Sequence, residues 1–151
     1  MEAEAMIGLG RLGAASAIAF AAMGSAYGAG AAGMAAVGAW KKCFAQSKAA
    51  PFILVTFVGA PLSQTIYGMI LLGNINTAVA ANANFWPAAL GVGLFGGIAL
   101  GISAWLQGRA GAGAADALAE TGKGFGNYLM VLGIIETVAL FVMVFIGAAL
   151  K

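Results

Sequence analysis

The sequence predicts an all-α membrane protein whose four transmembrane helices form a duplicated helical hairpin. Of its 151 residues, 62% are hydrophobic and 8% are charged, whereas about a quarter are charged in an ordinary soluble domain. Four long stretches are almost free of charge, and the second of them resembles the fourth. This composition excludes a water-soluble globule, and the 24 glycines follow no strict collagen-like period.

The four stretches cover residues 12–40, 51–73, 85–119 and 125–150. A helix needs about 20 apolar residues to cross a bilayer, and a helix is the only single segment that satisfies its own backbone in hydrocarbon. Each stretch is therefore predicted to be one membrane span. The first stretch is too long for the apolar core of a cleaved secretory signal.

The connections between the spans are expected at residues 41–50, 74–84 and 120–124. Lysines are concentrated in the first and third connections, and the middle one has no charge. By the positive-inside rule, connections 41–50 and 120–124 should face the cytoplasm and both termini the outside. Arg11 and Lys151 lie on the opposite side and oppose this orientation. Cys43, in the first connection, is expected to be an ordinary reduced thiol.

An internal repeat relates the two halves of the chain. At an offset of 74, residues 58–73 align with 132–147, and three residues recur: Gly59, Met69 and Gly73 as Gly133, Met143 and Gly147. The repeat predicts two hairpins, residues 1–80 and 81–151. The alternative is a chance similarity between two apolar helices. In this register Leu62 stands where the second hairpin has Glu136, so only that hairpin carries the carboxylate.

Glycine is concentrated in the first and third spans, with six in residues 12–40 and eight in 85–117. Small residues let membrane helices approach closely, so these two spans are expected to pack against each other. Residues 28–33 also match the dinucleotide-binding pattern GxGxxG. That fingerprint requires a preceding strand, so helix packing is the better explanation. The small, scattered net charge of +2 gives no reason to expect a nucleic-acid partner.

Glu136 is the candidate functional residue, because it is the twelfth residue of the fourth span. An ionised carboxylate at that depth costs at least about 2.5 kcal/mol, so an intramembrane acid points to function. The alternative is a protonated structural glutamate that bonds to a neighbouring helix.

A polar stripe in the second span accompanies this acid. Ala60, Ser63, Gln64 and Tyr67 follow helical spacing and share one face. Pro61 donates no backbone hydrogen bond, so a local bend is expected to turn nearby carbonyls toward a ligand.

Gln107 in the third span is expected at the depth of Glu136, because the midpoint between them falls at residues 121 and 122, in the turn. The repeat register places Ser63 and Gln64 at that depth too. One carboxylate with amide, hydroxyl and carbonyl oxygens suits a monovalent cation, so Na⁺ or a proton is predicted on Glu136. The alternative for Gln64 and Gln107 is interhelical hydrogen bonding without an ion.

These motifs resemble those of the four-helix proteolipid, the K or c subunit, of V-type and A-type rotary ATPases, in particular the bacterial sodium-translocating form. The resemblance covers nearly the whole chain. It is carried by the run from Pro61 to Tyr67, by Gln107-Gly108-Arg109, by Ile135-Glu136-Thr137 and by the duplicated hairpin.

The resemblance implies a specific ligand set for Na⁺: the side chains of Glu136, Gln107, Gln64 and Ser63, and the backbone carbonyl of Ala60. It also implies that Tyr67 hydrogen-bonds the glutamate and holds the site closed. Ser63 replaces a threonine and Ala60 a larger residue, but neither change removes an oxygen. Proton-only relatives commonly lack the glutamine pair, so the resemblance favours Na⁺ over H⁺.

Implied with this family are a ring of identical subunits in a bacterial or archaeal cell membrane, a stator subunit that supplies an arginine, and a central stalk on the cytoplasmic loops. In such a ring the first and third spans lie inside and lipid surrounds the second and fourth. The chain would be a non-catalytic subunit without organic cofactor, since it has no P-loop and a single buried acid.

Three other functions are also compatible with the sequence: the same ring carrying H⁺, a small four-helix proton-coupled antiporter, and a purely structural bundle. Antiporters of that kind form dimers and usually carry the acid in their first helix. Arg109, Asp116 and Glu120 are interpreted as charges that snorkel from helix ends, with contacts to neighbouring subunits as the alternative.

Overall fold

The chain folds into four long helices. The computed structural model describes residues 2–150, and its helices are α1 (Ala3–Ala45), α2 (Phe52–Ala81), α3 (Ala83–Thr121) and α4 (Phe125–Leu150). Each is long and apolar enough to cross a membrane, and residues 2–150 contain no strand. The prediction of an all-α membrane protein with four spans is confirmed.

α1 and α3 lie in direct backbone contact along most of their length. A Cβ atom on Gly93 would collide with the backbone of Gly13, and one on Gly108 with the backbone of Gly28. Between these points Gly24 meets Gly101 in the same way. Residue numbers rise together along both helices, so α1 and α3 run parallel. The expected close packing of the glycine-rich spans is confirmed, and Gly28 of the GxGxxG match serves this contact.

Two apolar clusters fill the bundle, one toward each end. One cluster contains Leu71, Ile75 and Leu100, and the other contains Leu54, Phe57 and Leu132. Two residues of the predicted site touch these clusters, because Tyr67 packs against the first and Ala60 against the second. The fold therefore places a polar layer between two apolar ones.

α2 is irregular around its proline. A 3₁₀ segment, Ala60–Leu62, separates the α-helical segments Val55–Gly59 and Ser63–Ala81. Pro61 is buried and has no N–H to donate to the preceding turn. This local departure from α-helical geometry agrees with the bend expected at the proline.

The helices extend further than the hydropathy pattern indicates. The predicted connection 74–84 is mostly wrong, because α2 continues to Ala81. The reason is packing: Ile75 and Val79 are 0% and 1% exposed, and Val79 fills the space left by Gly10 of α1. Polar residues on the opposite face lower the mean hydropathy without ending the helix.

The other two connections are also shorter than predicted. Cys43 lies in the last turn of α1 and is buried, so its expected position in a loop is wrong. α3 continues to Thr121, and the remaining turn contains Gly122 and Gly124 with φ of 65° and 89°. Such left-handed backbone favours glycine, which explains the sharp reversal into α4.

Two of the unassigned charges have partners within the chain. Asp116 of α3 accepts a hydrogen bond of 3.0 Å from Lys42 Nζ of α1, a pairing that the sequence did not indicate. Both side chains are exposed, so water and salt screen the pair and it contributes little to the stability of the fold. The guanidinium of Arg109 lies 5.6 Å from the centre of the Trp105 ring, a cation–π contact.

A methyl group at the α1–α3 contact should destabilise the bundle. We expect Gly108→Ala to lower the stability by about 1–3 kcal/mol, because the new Cβ meets the backbone of Gly28 and the helices must separate. Gly113→Ala is the matched control, since a Cβ there meets nothing within 4 Å. Thermal unfolding in detergent, followed by circular dichroism, compares the two variants. Equal melting temperatures would contradict the inferred role of this contact.

Candidate functional site

The polar layer is built by side chains from three helices. Gln64 of α2 and Gln107 of α3 are both 0% exposed, and Glu136 of α4 is partly buried beside them. Every side chain that the sequence singled out takes part in one continuous hydrogen-bond network in this layer.

Both carboxylate oxygens of Glu136 accept hydrogen bonds. Tyr67 donates its hydroxyl proton to Oε1 over 2.7 Å, and Gln107 Nε2 donates to Oε2 over 3.3 Å. The carboxylate is therefore fixed between α2 and α3, and Gln107 and Glu136 lie at the same depth. Two donors from different helices determine where this negative charge sits.

The two glutamine side chains form the centre of the layer. Gln64 Nε2 donates to Gln107 Oε1 over 2.8 Å, and Gln107 Nε2 also donates to the backbone carbonyl of Leu132 over 3.1 Å. Leu132 lies one helical turn before Glu136, so Gln107 binds two successive turns of α4. No sequence pattern points to this carbonyl, because any residue type supplies one.

Three oxygens meet at the other end of the network, beside the proline. Ser63 Oγ lies 3.1 Å from the carbonyl oxygen of Ala60 and 3.2 Å from Gln64 Oε1. A serine hydroxyl has one proton, so it donates to only one of these oxygens at a time. The hydroxyl can therefore serve either the Ala60 carbonyl or Gln64 Oε1.

The backbone explains why these oxygens converge. Ala60 lies in the 3₁₀ segment next to Pro61, and Ser63 begins the following α-helical segment. The Ala60 carbonyl accepts from the side chain of Ser63, as expected where a proline disturbs the helical hydrogen-bond pattern.

Two further serines fix the helices that carry the site. Thr65 Oγ1 donates to Ser25 Oγ over 2.8 Å, which joins α2 to α1 beside Gln64. Ser103 Oγ donates to the carbonyl of Ile135 over 3.1 Å, which joins α3 to α4 beside Glu136.

Sequence reasoning assigned these serines no role, although a signal was present. Both begin the repeated Ser-Ala-aromatic motif of the first and third spans. Both are also nearly buried, at 2% and 6% exposure. Each serine therefore joins the two helices of its own hairpin.

The layer offers many oxygens and one formal charge. Carbonyl, hydroxyl, amide and carboxylate oxygens are hard ligands, and a single carboxylate balances a monovalent cation better than a divalent one. In the described part of the chain, no three His, Cys, Asp or Glu residues cluster as a metal site. Reversible binding of a small cation or a proton is the chemistry that this arrangement supports.

A comparison with protein families supports a membrane-embedded ion carrier. Residues 90–146 match the family described as the C subunit of ATP synthase. The matched segment contains most of α3 and α4, and therefore Gln107 and Glu136, whereas the site residues of α2 lie outside it. A comparison with curated proteins gave no match. The family match supports an ion-translocating proteolipid and does not distinguish among its types or its ions.

The buried glutamine pair should show strong energetic coupling. Gln107→Leu leaves the Gln64 amide without its 2.8 Å acceptor, at a cost of about 1–3 kcal/mol. The double variant Gln64→Leu/Gln107→Leu removes both partners, so it should cost clearly less than the sum of the single variants. Unfolding in detergent of both single variants and the double variant measures the coupling.

Gln46→Leu is the control for this cycle, because Gln46 is exposed and outside the layer. Its combination with Gln107→Leu should be additive. Additivity of the Gln64 and Gln107 substitutions would show that the two side chains do not depend on each other.

Proposed function

We propose that this chain is the rotor-ring proteolipid of a V/A-type rotary ATPase and carries Na⁺ across the membrane by reversible binding at Glu136. The observation that supports this most is the position of the Glu136 carboxylate, held by Tyr67 and Gln107 in a partly buried polar layer at mid-span. The family match of the second hairpin supports the rotor assignment.

Five oxygen donors are proposed to hold the ion. They are the Glu136 carboxylate, the amide oxygens of Gln64 and Gln107, the Ser63 hydroxyl and the Ala60 carbonyl. Ala60, Ser63 and Gln64 already hold three oxygens close together. Sodium binding would require the Gln107 amide oxygen to turn from Gln64 Nε2 toward the ion. The positive charge of Na⁺ would then balance the single carboxylate.

A cation bound at Glu136 would neutralise the charge of its carboxylate. A bare carboxylate that passes lipid is costly, and the bound ion removes most of that cost. In the proposed cycle, identical copies form a ring with α1 and α3 inside. An ion from a half-channel binds Glu136, and Tyr67 closes the site. After nearly a full turn, an arginine of the stator displaces the ion into the exit channel.

The chain itself is proposed to hydrolyse nothing. The helix ends at residues 41–50 and 120–124 are assigned to the cytoplasmic side of a bacterial or archaeal cell membrane, where they contact the central stalk. One small cavity at this end of the bundle is lined by two basic and two acidic residues, Lys42, Lys48, Asp116 and Glu120. A stalk protein could therefore form ion pairs there with residues of either charge.

H⁺ is the second candidate cargo, and one observation favours it. Every buried side-chain nitrogen and oxygen in the described residues has a hydrogen-bond partner without an ion. In that case Gln107, itself held by Gln64, keeps the carboxyl group of Glu136 in place together with Tyr67, and a proton alone neutralises it.

Sodium should protect Glu136 from a carboxyl-reactive carbodiimide. We expect labelling of the purified ring to fall as sodium rises, with a weaker effect at lower pH, because Na⁺ and H⁺ compete for one carboxylate. Mass spectrometry of the labelled peptide measures the modification. Glu136→Gln should abolish labelling, whereas Glu120→Gln, a change at an exposed acid, should leave the protection unchanged. Labelling that depends on pH alone would support H⁺ instead.

Removal of the Ser63 hydroxyl should weaken sodium binding selectively. Ser63→Ala removes one of five oxygen donors, so the sodium concentration for half-protection should rise about tenfold, equivalent to roughly 1.4 kcal/mol. Ser63→Thr keeps the hydroxyl and should restore protection. Ser16→Ala is the control, since that hydroxyl donates to the Leu12 carbonyl of its own helix. Unchanged protection in Ser63→Ala would remove Ser63 from the ligand set.

A further inference from the structure

We propose that Thr65 and Ser25 are positioning residues that set the preference of the ion site for Na⁺ over larger cations, although neither offers an oxygen to the ion. The inference rests on the proposed function, because the cation is the one that binds Glu136. It adds a determinant of specificity on α1, the helix that supplies no ligand of the proposed site.

The hydroxyl of Thr65 reaches another helix, unlike several other hydroxyls of this chain. Thr65 Oγ1 donates to Ser25 Oγ of α1 over 2.8 Å. A serine or threonine inside a helix can donate instead to the carbonyl four residues earlier, and four side chains here do so: Ser16, Thr77, Thr121 and Thr137. Ser25 is 2% exposed, so the interhelical bond is buried on its α1 side.

This hydrogen bond lies within a close contact between α1 and α2. Before it on α2, a Cβ atom on Gly28 would lie 3.0 Å from Pro61 Cβ, and after it, a Cβ atom on Gly68 would lie 2.7 Å from Ala21 Cβ. The two glycines let the backbones approach, and the hydroxyl bond spans the short distance between these points. The contact therefore holds residues 61–68 of α2 against α1.

The contact bears on the ion site because α2 supplies most of the proposed ligands. These are the Ala60 carbonyl, the Ser63 hydroxyl and the Gln64 amide, and Thr65 directly follows Gln64 in the chain. A set of ligands must be held within about 0.5 Å of its productive geometry. A shift or rotation of α2 would move these three oxygens together relative to Glu136.

α2 needs support from outside its own helix because it is irregular at the site. The 3₁₀ segment Ala60–Leu62 interrupts it, and 3₁₀ hydrogen bonds have poorer geometry than those of an α-helix. Glu136 lies instead in the regular segment Phe125–Phe141, and α4 becomes π-helical only at Val142–Ile146. The α2 side of the site is therefore the side that its own helix holds less firmly.

The bond between Thr65 and Ser25 does not depend on whether the ion is bound. In the proposed bound state the Gln107 oxygen turns away from Gln64, so the direct link between these two amides is lost. Thr65 and Ser25 are not ligands, and their bond is unaffected by this rearrangement. Discrimination between cations depends on the size and flexibility of the cavity. A less firmly held α2 would therefore accept larger ions more readily.

Thr65→Val tests this role, because it removes the hydroxyl and keeps the shape of the side chain. Carbodiimide labelling of Glu136 in the purified ring is titrated with Na⁺ and, separately, with K⁺. We expect the Na⁺ concentration for half-protection to rise about tenfold, as is typical when a residue that orients metal ligands is lost. The corresponding K⁺ concentration should rise less, so the ratio of K⁺ to Na⁺ concentrations should fall. Thr65→Ser keeps the hydroxyl and should restore the parent ratio.

Thr137→Val is the matched control. Thr137 also adjoins a proposed ligand in the chain, but its hydroxyl donates to the Gly133 carbonyl of its own helix, so the ratio should not change. Ser25→Ala removes the same interhelical bond from α1, and it decides the question if Thr65→Val does not assemble. The double variant Ser25→Ala/Thr65→Val should bind Na⁺ about as well as the weaker single variant, since all three lose one and the same bond.

A parent-like ratio in Thr65→Val and Ser25→Ala would overturn the proposal, even if protection by Na⁺ and K⁺ weakens equally, because a residue that only stabilises the fold affects both ions alike. An equal fall of the ratio in Thr137→Val would overturn it too. The parent ring separates these results from a failure of the sodium site. Sodium protection of the parent with unchanged ratios in the variants removes only the role of Thr65 and Ser25. Absence of sodium protection in the parent removes the sodium site and this role with it.

Discussion

The hydrogen bonds that surround Glu136 are the constraint on which the rest of the structure depends. A carboxylate at mid-span cannot be satisfied by lipid, so the chain must supply donors at that depth. Tyr67 and Gln107 do so from two different helices. Gln107 in turn needs an acceptor, and the Leu132 carbonyl fills that need. One charge thus requires α2, α3 and α4 to meet at a single level.

The remaining features of the fold keep that level fixed. The glycine contacts hold α1 and α3 against each other along most of their length, and α2 and α4 pack beside this pair. Ser25 joins α2 to α1 and Ser103 joins α4 to α3, both beside the site. Gln64 and Gln107 are fully buried, so the hydrogen bond between them is stronger than it would be at a surface. Close packing and polar contacts therefore both fix the positions of the four helices around Glu136.

Much of the site could be predicted from sequence because membrane burial makes polar residues conspicuous. Glu136, Gln107 and the Ser63–Tyr67 stripe stand out against apolar neighbours, and hairpin geometry alone placed Gln107 level with Glu136. Backbone groups and small hydroxyls were harder to assign. The Leu132 carbonyl has no signature in the sequence, and a serine such as Ser103 is common in membrane helices, so its bond to Ile135 depends on packing that the pattern does not encode.

Composition and spacing by themselves determined that the chain spans a membrane four times, that its glycine-rich spans pack closely, and that one acid lies at mid-span among polar partners. These conclusions follow from local rules: the thickness of hydrocarbon, helical periodicity and the cost of a buried charge. Only the tertiary structure decided where each helix ends, which atom donates to which, and where α4 leaves regular geometry. Those properties depend on contacts between helices, as where Val79 fills the space beside Gly10 and so extends α2 through a segment whose own hydropathy indicates a loop.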